Sequence, residues 1–168
     1  MELFDPNRSF ELEEKLVSLL KEKQMTISTA ESCTGGLIAG AIVNAAGASD
    51  VLNESYITYA NEAKERLVGV THETLETFGA VSEETAREMA IGTAKVAQAQ
   101  VGLSSTGIAG PGGGTEKKPV GLVYIGCSVN GNVQVKELHF HGNRMENRLH
   151  TVEESLKLAI HMLEANES

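Results

Sequence analysis

The sequence predicts an α/β protein, a three-layer α/β/α sandwich with a mixed, mostly parallel sheet that contains a C-terminal β-hairpin. Short β-rich runs alternate with amphipathic helical patterns early in the chain, which is typical of parallel strands connected by helices. Later, two apolar runs flank Asn130-Gly131, a strong hairpin signal, so we expect these two strands to be antiparallel neighbours. Apolar faces on several helices indicate that helices cover both faces of the sheet.

The first half of the chain alternates helices and strands. Apolar residues three or four positions apart predict the helices, because that spacing puts them on one face. The elements are a helix with Leu12, Leu16, Leu19 and Leu20 on one stripe, a strand from Met25 to Thr29, a helix with Leu37, Ile38, Ala41, Ile42 and Ala45, a strand from Ser55 to Tyr59, and a short helix from Asn61 to Leu67.

The second half begins with two helices. We expect Thr71 and Ser82 to be their N-caps and Gly79 to end the first, because hydroxyl side chains accept from free N–H groups and glycine follows helix ends. The remaining elements are a buried helix face made by Ala86, Met89, Ala90, Thr93, Ala94 and Ala97, a strand from Val101 to Thr106, a glycine-rich loop from Gly107 to Pro119, strands from Val120 to Val129 and from Val133 to Phe140, and a last helix from about Met145.

Composition favours one globular domain, residues 1–168, that acts on a small molecule. With 168 residues and 41% hydrophobic content, the chain is able to bury a proper core. A net charge of −9 without a lysine or arginine cluster argues against nucleic acid as a partner. The chain shows no signal peptide or membrane-length apolar run, and Cys33 and Cys127 form no C-x-x-C pair. We therefore expect a cytoplasmic protein without a membrane partner.

The segment from Thr29 to Gly36 places a hydroxyl, a thiol and a carboxylate at a strand-to-helix turn. The first N–H groups of a helix are unpaired and lie at the positive end of its dipole, so such a turn favours an anionic oxygen. Ser32 is therefore a candidate nucleophile. The candidate oxyanion donors are the backbone N–H groups of Cys33, Thr34, Gly35 and Gly36. A plain helix cap is the alternative, and Ser32 lacks the G-x-S-x-G frame of α/β-hydrolases.

The glycine-rich loop is a second candidate site. Successive backbone N–H groups with few side chains can form an anion-binding nest, and phosphate is the obvious guest. The loop matches neither of the two common glycine-rich phosphate motifs, so a plain surface loop is the alternative. Its candidate binding residues are Thr106, Gly107, Gly110 and Gly112.

Three further features are ambiguous when they are read alone. Lys64 lies in a charged helical run, which is usually a solvated face. Arg144 could grip a carboxylate or phosphate bidentately, or it could be an ordinary surface arginine. His139 and His141 share a strand face, but no further ligand completes a metal site, so we expect no metal.

Five motifs in order resemble the CinA C-terminal domain family, from about Glu11 to Leu163. Each motif is weak alone, but their order and spacing together are specific. They are Ala30-Glu31-Ser32-Cys33-Thr34-Gly35-Gly36, Tyr59-Ala60-Asn61-Glu62-Ala63-Lys64, Gly79-Ala80-Val81-Ser82, Thr106-Gly107-Ile108-Ala109-Gly110-Pro111 and Lys118-Pro119-Val120-Gly121. Ala60 stands where serine is frequent in the family, and Asn143 where aspartate is frequent.

The resemblance implies hydrolysis of the carboxamide of nicotinamide mononucleotide to nicotinate mononucleotide and ammonia, without metal or cofactor. It assigns the nucleophile to Ser32 and the base to Lys64, which would take the serine proton directly or through Ser49. It also places Tyr59, Thr106 and Arg144 at the active site. A serine hydroxyl needs such a base, and a lysine serves only when its surroundings keep it neutral.

The resemblance bears on domain organisation and assembly too. Full-length members add an N-terminal domain related to molybdopterin-binding proteins, and we expect its ADP-ribose pyrophosphatase activity to be missing here. A homodimer is the expectation from the frequency of symmetric dimers. Two alternative functions stay open: a non-catalytic nucleotide-binding or regulatory module, and an amidase that uses Cys33 with a nearby base such as histidine.

Overall fold

The structure is a computed structural model that describes residues 2–3 and 5–165. Within these residues, helices α1 to α6 span Glu11–Glu22, Leu37–Val43, Asn61–Val68, His72–Phe78, Glu83–Val96 and Arg144–Ala165, and a 3-10 turn spans Ala48–Asp50. Strands β1 to β5 span Ile27–Glu31, Tyr56–Ile57, Val101–Gly107, Leu122–Val129 and Asn132–His139.

The strands form one mixed sheet in the order β2-β1-β3-β4-β5. Strands β2 and β3 both pair in parallel with β1, whereas β4 is antiparallel to β3 and to β5. Four strands therefore point in one direction and β4 in the other. The α/β class and the mixed sheet are confirmed.

Helices lie on both faces of this sheet, as predicted. Helix α5 packs on β1, β3 and β4, with α3 and α4 beside it, whereas α6 packs on β3 and β4, with α1 and α2 on the same side. The larger hydrophobic cluster lies between the sheet and α1, α2 and α6. A smaller cluster, with Ala30, Val68 and Met89, lies on the α5 side.

Strand β1 runs two residues later than predicted, from Ile27 rather than Met25, because its pairing with β3 begins at Ile27 opposite Val101. It consequently ends at Glu31, and Ser32 is the first residue beyond the sheet. Strand β2 is shorter than predicted, because it is an edge strand that pairs only with the last two residues of β1.

The predicted turns and caps are confirmed. The hydroxyls of Thr71 and Ser82 accept hydrogen bonds from the N–H groups three residues on, and α4 ends at Gly79. Asn130 and Gly131 both have positive φ angles, as a two-residue hairpin turn requires. Strand β4 begins at Leu122 rather than Val120.

Candidate active site

The candidate site lies at the carboxyl ends of the parallel strands β1, β2 and β3. Because these strands are parallel, their carboxyl ends meet. Ser32 follows β1, Tyr59 lies just beyond β2, and the glycine-rich loop leaves β3 at Gly107. In open α/β sheets, ligands bind at this edge.

Lys64 lies against Ser32. Its Nζ donates a hydrogen bond to Ser32 Oγ at 3.2 Å and further bonds to the carbonyls of Thr58 at 2.8 Å and Tyr59 at 3.2 Å. The lysine is only 1% exposed, so its helix face is not the solvated one that its charged neighbours indicate. Burial lowers the pKa of Lys64 to about 8. Among the described residues, no carboxylate lies within ion-pair distance of Nζ.

Close packing of α3 against α5 holds Lys64 in this position. A Cβ atom on Gly92 of α5 would lie 1.8 Å from the carbonyl oxygen of Val68, at the end of α3. Val68 and Met89 join the two helices in the smaller hydrophobic cluster. The glycine therefore lets α3 pack close against α5, the helix that covers β1.

Glu31 caps helix α2. Its carboxylate, 1% exposed, accepts hydrogen bonds from Ile38 N at 2.6 Å, Ala39 N at 3.5 Å and Thr34 Oγ1 at 2.9 Å. Burial raises the pKa of Glu31, while the bonds from Ile38 and Thr34 oppose that rise. The positive end of α2 is thus occupied by this side chain. The N–H groups of Ile38 and Ala39 are therefore not open to a ligand.

In the turn after Ser32, one of the four predicted oxyanion donors, the N–H of Gly35, is not free. Gly35 N donates to Ser32 O at 3.1 Å, so this group is already paired. No other described residue accepts from the N–H groups of Cys33, Thr34 or Gly36. These three groups remain candidate oxyanion donors.

Cys33 is a buried thiol rather than a thiolate. Its side chain is 5% exposed, and burial raises its pKa to about 11. A thiol in this state is a poor nucleophile.

A pocket of about 220 Å³ opens beside the turn. Its walls are Cys33, Tyr59, Gly107, Ile108, Ala109, Gly110, Gly112, Gly113 and Arg144. Arg144 connects two of these walls, because its guanidinium donates to Gly110 O at 2.8 Å and to Tyr59 Oη at 3.0 Å. The structure therefore brings together Tyr59, Gly107, Gly110, Gly112 and Arg144, all predicted as substrate-binding residues.

Ser49 and Thr106 are not where the sequence predictions require them. Ser49 is exposed in the 3-10 turn, just before Val51, whose carbonyl accepts from Ile27 N at the opposite end of β1. Ser32 lies roughly 16 Å along the strand direction from Ile27, so Ser49 does not bridge Ser32 and Lys64 within the chain. Thr106 is 1% exposed and its hydroxyl donates to Ala80 O at 2.6 Å, away from the pocket wall.

Sequence reasoning missed two residues on α6. Asn147 is fully buried and donates to Ala109 O at 3.0 Å, which holds the glycine-rich loop. Arg148 donates to the carbonyls of Cys33 at 2.9 Å and Thr34 at 3.0 Å. The spacing of four residues from Arg144 to Arg148 was the available signal, since it puts both arginines on one helix face.

No cluster of three or more possible metal-ligating side chains occurs among residues 2–3 and 5–165. His139 instead contacts Glu137, with Nε2 2.7 Å from Oε1. None of the helices in this part of the chain has the length and apolarity needed to cross a membrane.

Comparisons with known proteins agree with this fold. The chain is 45% identical to the competence/damage inducible protein CihA from Agrobacterium tumefaciens, whose crystal structure matches 92% of this chain and 94% of that one with a TM-score of 0.89. A CinA superfamily protein from Enterobacter cloacae is 34% identical, with a TM-score of 0.88 over 92% of this chain and 91% of that one.

Curated relatives match over part of their length. A CinA-like protein from Kosmotoga olearia is 62% identical over 133 residues, 79% of this chain and 32% of the relative. A putative competence-damage inducible protein from Clostridium perfringens is 56% identical over 141 residues, 84% of this chain and 34% of the relative. The chain thus spans about a third of the length of these relatives. The family model described as the CinA C-terminal domain matches residues 9–163, and the chain belongs to this family.

Proposed function

We propose that the chain is a serine amidase that hydrolyses the carboxamide of nicotinamide mononucleotide to nicotinate mononucleotide and ammonia. The contact between Lys64 and Ser32 carries the proposal. A buried lysine with a lowered pKa and no carboxylate partner among the described residues is suited to accept a proton, and it lies 3.2 Å from the hydroxyl that would supply one.

In the first half of the reaction, neutral Lys64 takes the proton of Ser32 as Oγ forms a bond to the amide carbon. The electron pair of the carbonyl moves to its oxygen, and the free N–H groups at Cys33, Thr34 and Gly36 are the donors available to stabilise that charge. When the carbon–nitrogen bond breaks, the lysine ammonium returns its proton to the nitrogen, and ammonia leaves.

In the second half, water attacks the ester on Ser32 and gives a proton to Lys64. The carbon–oxygen bond to Ser32 then breaks, the serine takes the proton back from the lysine, and the carboxylic acid product is released. The reaction consumes one water molecule and leaves the enzyme unchanged.

The pocket chemistry supports a substrate that carries both an aromatic ring and an anion. The exposed ring of Tyr59 offers an aromatic face, on which a cationic pyridinium could stack. Arg144 and the glycine-rich loop supply a cation and unpaired backbone N–H groups nearby, which suit phosphate. Binding energy from the phosphate would then position the amide at Ser32.

Ammonia release from nicotinamide mononucleotide tests the proposal. We expect turnover by the wild type and its loss in Ser32→Ala and Lys64→Ala, whereas Ser49→Ala, remote from the site, serves as the matched serine control and stays active. Cys33→Ala is expected to retain activity, since its thiol is protonated. Loss in Cys33→Ala with an active Ser32→Ala would transfer the nucleophile to the thiol. A folded but inactive wild type would favour a non-catalytic nucleotide-binding module.

A further inference from the structure

Arg148 is a half-buried cation whose hydrogen bonds go to backbone carbonyls. Its Nε donates to Cys33 O at 2.9 Å and one terminal nitrogen donates to Thr34 O at 3.0 Å. No carboxylate of a described residue lies within ion-pair distance of this guanidinium. The planar guanidinium thus spans two successive peptide groups of the turn that follows Ser32.

These two bonds fix the orientation of the N–H groups in the same peptides. In a trans peptide the N–H points opposite to the preceding C=O. With the carbonyls of Cys33 and Thr34 turned toward α6, the N–H groups of Thr34 and Gly35 point away from it. The N–H of Gly35 donates a hydrogen bond to Ser32 O. The N–H of Thr34 has no acceptor among the described residues.

The face of the sheet opposite α6 is the face that carries α3 and its Lys64. Helix α6 and helix α3 pack on opposite faces of the sheet, and Lys64 reaches Ser32 from α3. The free N–H of Thr34 is therefore turned toward the side on which the proposed nucleophile is held. A cation bonded to a carbonyl also polarises that peptide and strengthens its N–H as a donor.

We propose that Arg148 is a positioning residue that orients and polarises the Cys33-Thr34 peptide so that its N–H stabilises the oxyanion formed on attack by Ser32. This role rests on the proposed amidase function. Arg148 is absent from the pocket wall, where Arg144, one turn earlier on α6, lies. The two arginines thus have separate tasks, Arg144 at the substrate and Arg148 behind the turn.

The test compares Arg148→Met and Arg148→Lys with the wild type on nicotinamide mononucleotide. We expect kcat to fall by about 10- to 100-fold in Arg148→Met with KM nearly unchanged, because only transition-state stabilisation is lost. The pH profile stays that of the wild type, since Arg148 does not contact Lys64. Arg148→Lys folds with less disturbance and is expected to keep part of kcat, because an ammonium cannot bond both carbonyls as the planar fork does. Arg87→Met is the matched control, because Arg87 is an exposed arginine paired with Glu83, and we expect it to keep wild-type kcat.

The thioamide analogue of the substrate separates this role from simple support of the fold. Sulfur is a weak hydrogen-bond acceptor, so the kcat ratio of wild type to variant should shrink to a few-fold on the thioamide. An equal ratio on both substrates, a fall in Tm with wild-type kcat, or a change confined to KM would overturn the inference while leaving the amidase proposal intact. An inactive wild type would overturn both.

Discussion

At the residue scale, Lys64 determines what the site could do. Its ammonium is buried among backbone carbonyls, and desolvation favours the neutral amine that a general base requires. Glu31, the other buried ionisable group at the turn, instead accepts hydrogen bonds from backbone N–H groups and caps helix α2. Glu31, which precedes Ser32 in the chain, and Lys64, which bonds to Ser32, are both buried ionisable residues, and the groups around each one give it a different task.

Activity is expected to depend on the protonation state of Lys64. Only the neutral amine accepts the serine proton, and the pKa of Lys64 is about 8. We therefore expect kcat/KM to rise about tenfold per pH unit below that value and to level off above it. Initial rates of ammonia release over this range measure the profile. A flat profile between about pH 6 and pH 8 would contradict the role of Lys64 as base.

Burial of Lys64 also predicts how stability varies with pH. Its pKa is 10.5 in the unfolded chain and about 8 in the folded one, so the unfolded state binds more protons between these values and stability rises with pH across that window. From about pH 7 to about pH 9.5, the wild type should gain about 2 kcal/mol of unfolding free energy relative to Lys64→Met.

Urea unfolding of both proteins at the two pH values measures this difference, and Lys157→Met is the matched control. Lys157 is half-exposed and paired with Glu153 and Glu154, and its pKa is raised rather than lowered by these carboxylates. Parallel pH curves for wild type and Lys64→Met would mean that Lys64 titrates in the folded state as it does in the unfolded chain.

At the scale of elements, glycines decide how closely helices approach one another. A Cβ on Gly92 would lie 1.8 Å from a backbone oxygen of α3, whereas one on Gly40 of α2 would have nothing within 4 Å. The same glycine-to-alanine change should therefore have opposite effects on the two helices.

We expect Gly40→Ala to stabilise the protein by roughly 0.5–1 kcal/mol through helix propensity. Gly92→Ala should destabilise it by about 1–3 kcal/mol through overpacking, and it should also lower kcat, because α3 must move and carry Lys64 away from Ser32. Urea unfolding and ammonia release measure both effects. Wild-type activity in Gly92→Ala would show that the position of α3 tolerates the shift.

The start of α3 lacks a side-chain cap. Ala60 has the extended backbone of an N-cap, but no side-chain hydrogen bond there satisfies the first N–H groups of the helix. Ala60→Ser is expected to add about 1 kcal/mol to the unfolding free energy, since its hydroxyl can accept from these groups. Thermal and urea unfolding measure the gain, and an unchanged stability would show that the new hydroxyl does not cap the helix. By contrast, Asn143 does cap α6, with Oδ1 accepting from Glu146 N at 3.0 Å.

At the scale of the whole molecule, the pocket is assembled from parts that are far apart in the chain. Tyr59 follows β2, Gly107 and Gly110 follow β3, and Arg144 begins α6. Arg144 bonds to both of the other parts, so it holds the pocket edges together.

Ligand binding should stabilise this assembly in a phosphate-dependent way. In Ser32→Ala, which is expected to bind without turnover, nicotinamide mononucleotide at about 100 times its Kd should add about 2.7 kcal/mol to the unfolding free energy. Nicotinamide riboside, which lacks the phosphate, should add less at the same concentration, and Arg144→Met should reduce the difference between the two ligands. Thermal unfolding measures the shifts. Equal shifts from both ligands would show that the phosphate contributes nothing to binding.

Much of the fold was predictable because its signals are local. Apolar spacing indicated the helices, hydroxyl side chains indicated the caps at Thr71 and Ser82, and Asn130-Gly131 indicated the hairpin. Each of these depends on interactions within a few residues. Strand boundaries were less accurate, because a strand such as β1 begins where its partner allows pairing rather than where β-rich residues begin.

For the candidate site too, local signals were predictable from the sequence and long-range contacts were not. Residue types and their order, read with a family resemblance, were enough to select Ser32, Lys64, Tyr59 and Arg144. The direction in which a side chain points depends on distant partners, so only the folded chain decided that Lys64 faces inward, that Glu31 fills the helix end and that Arg148 holds the turn. It also decided that Ser49 lies at the opposite end of β1 and that Thr106 faces Ala80, because those positions follow from strand pairing and helix packing over many residues.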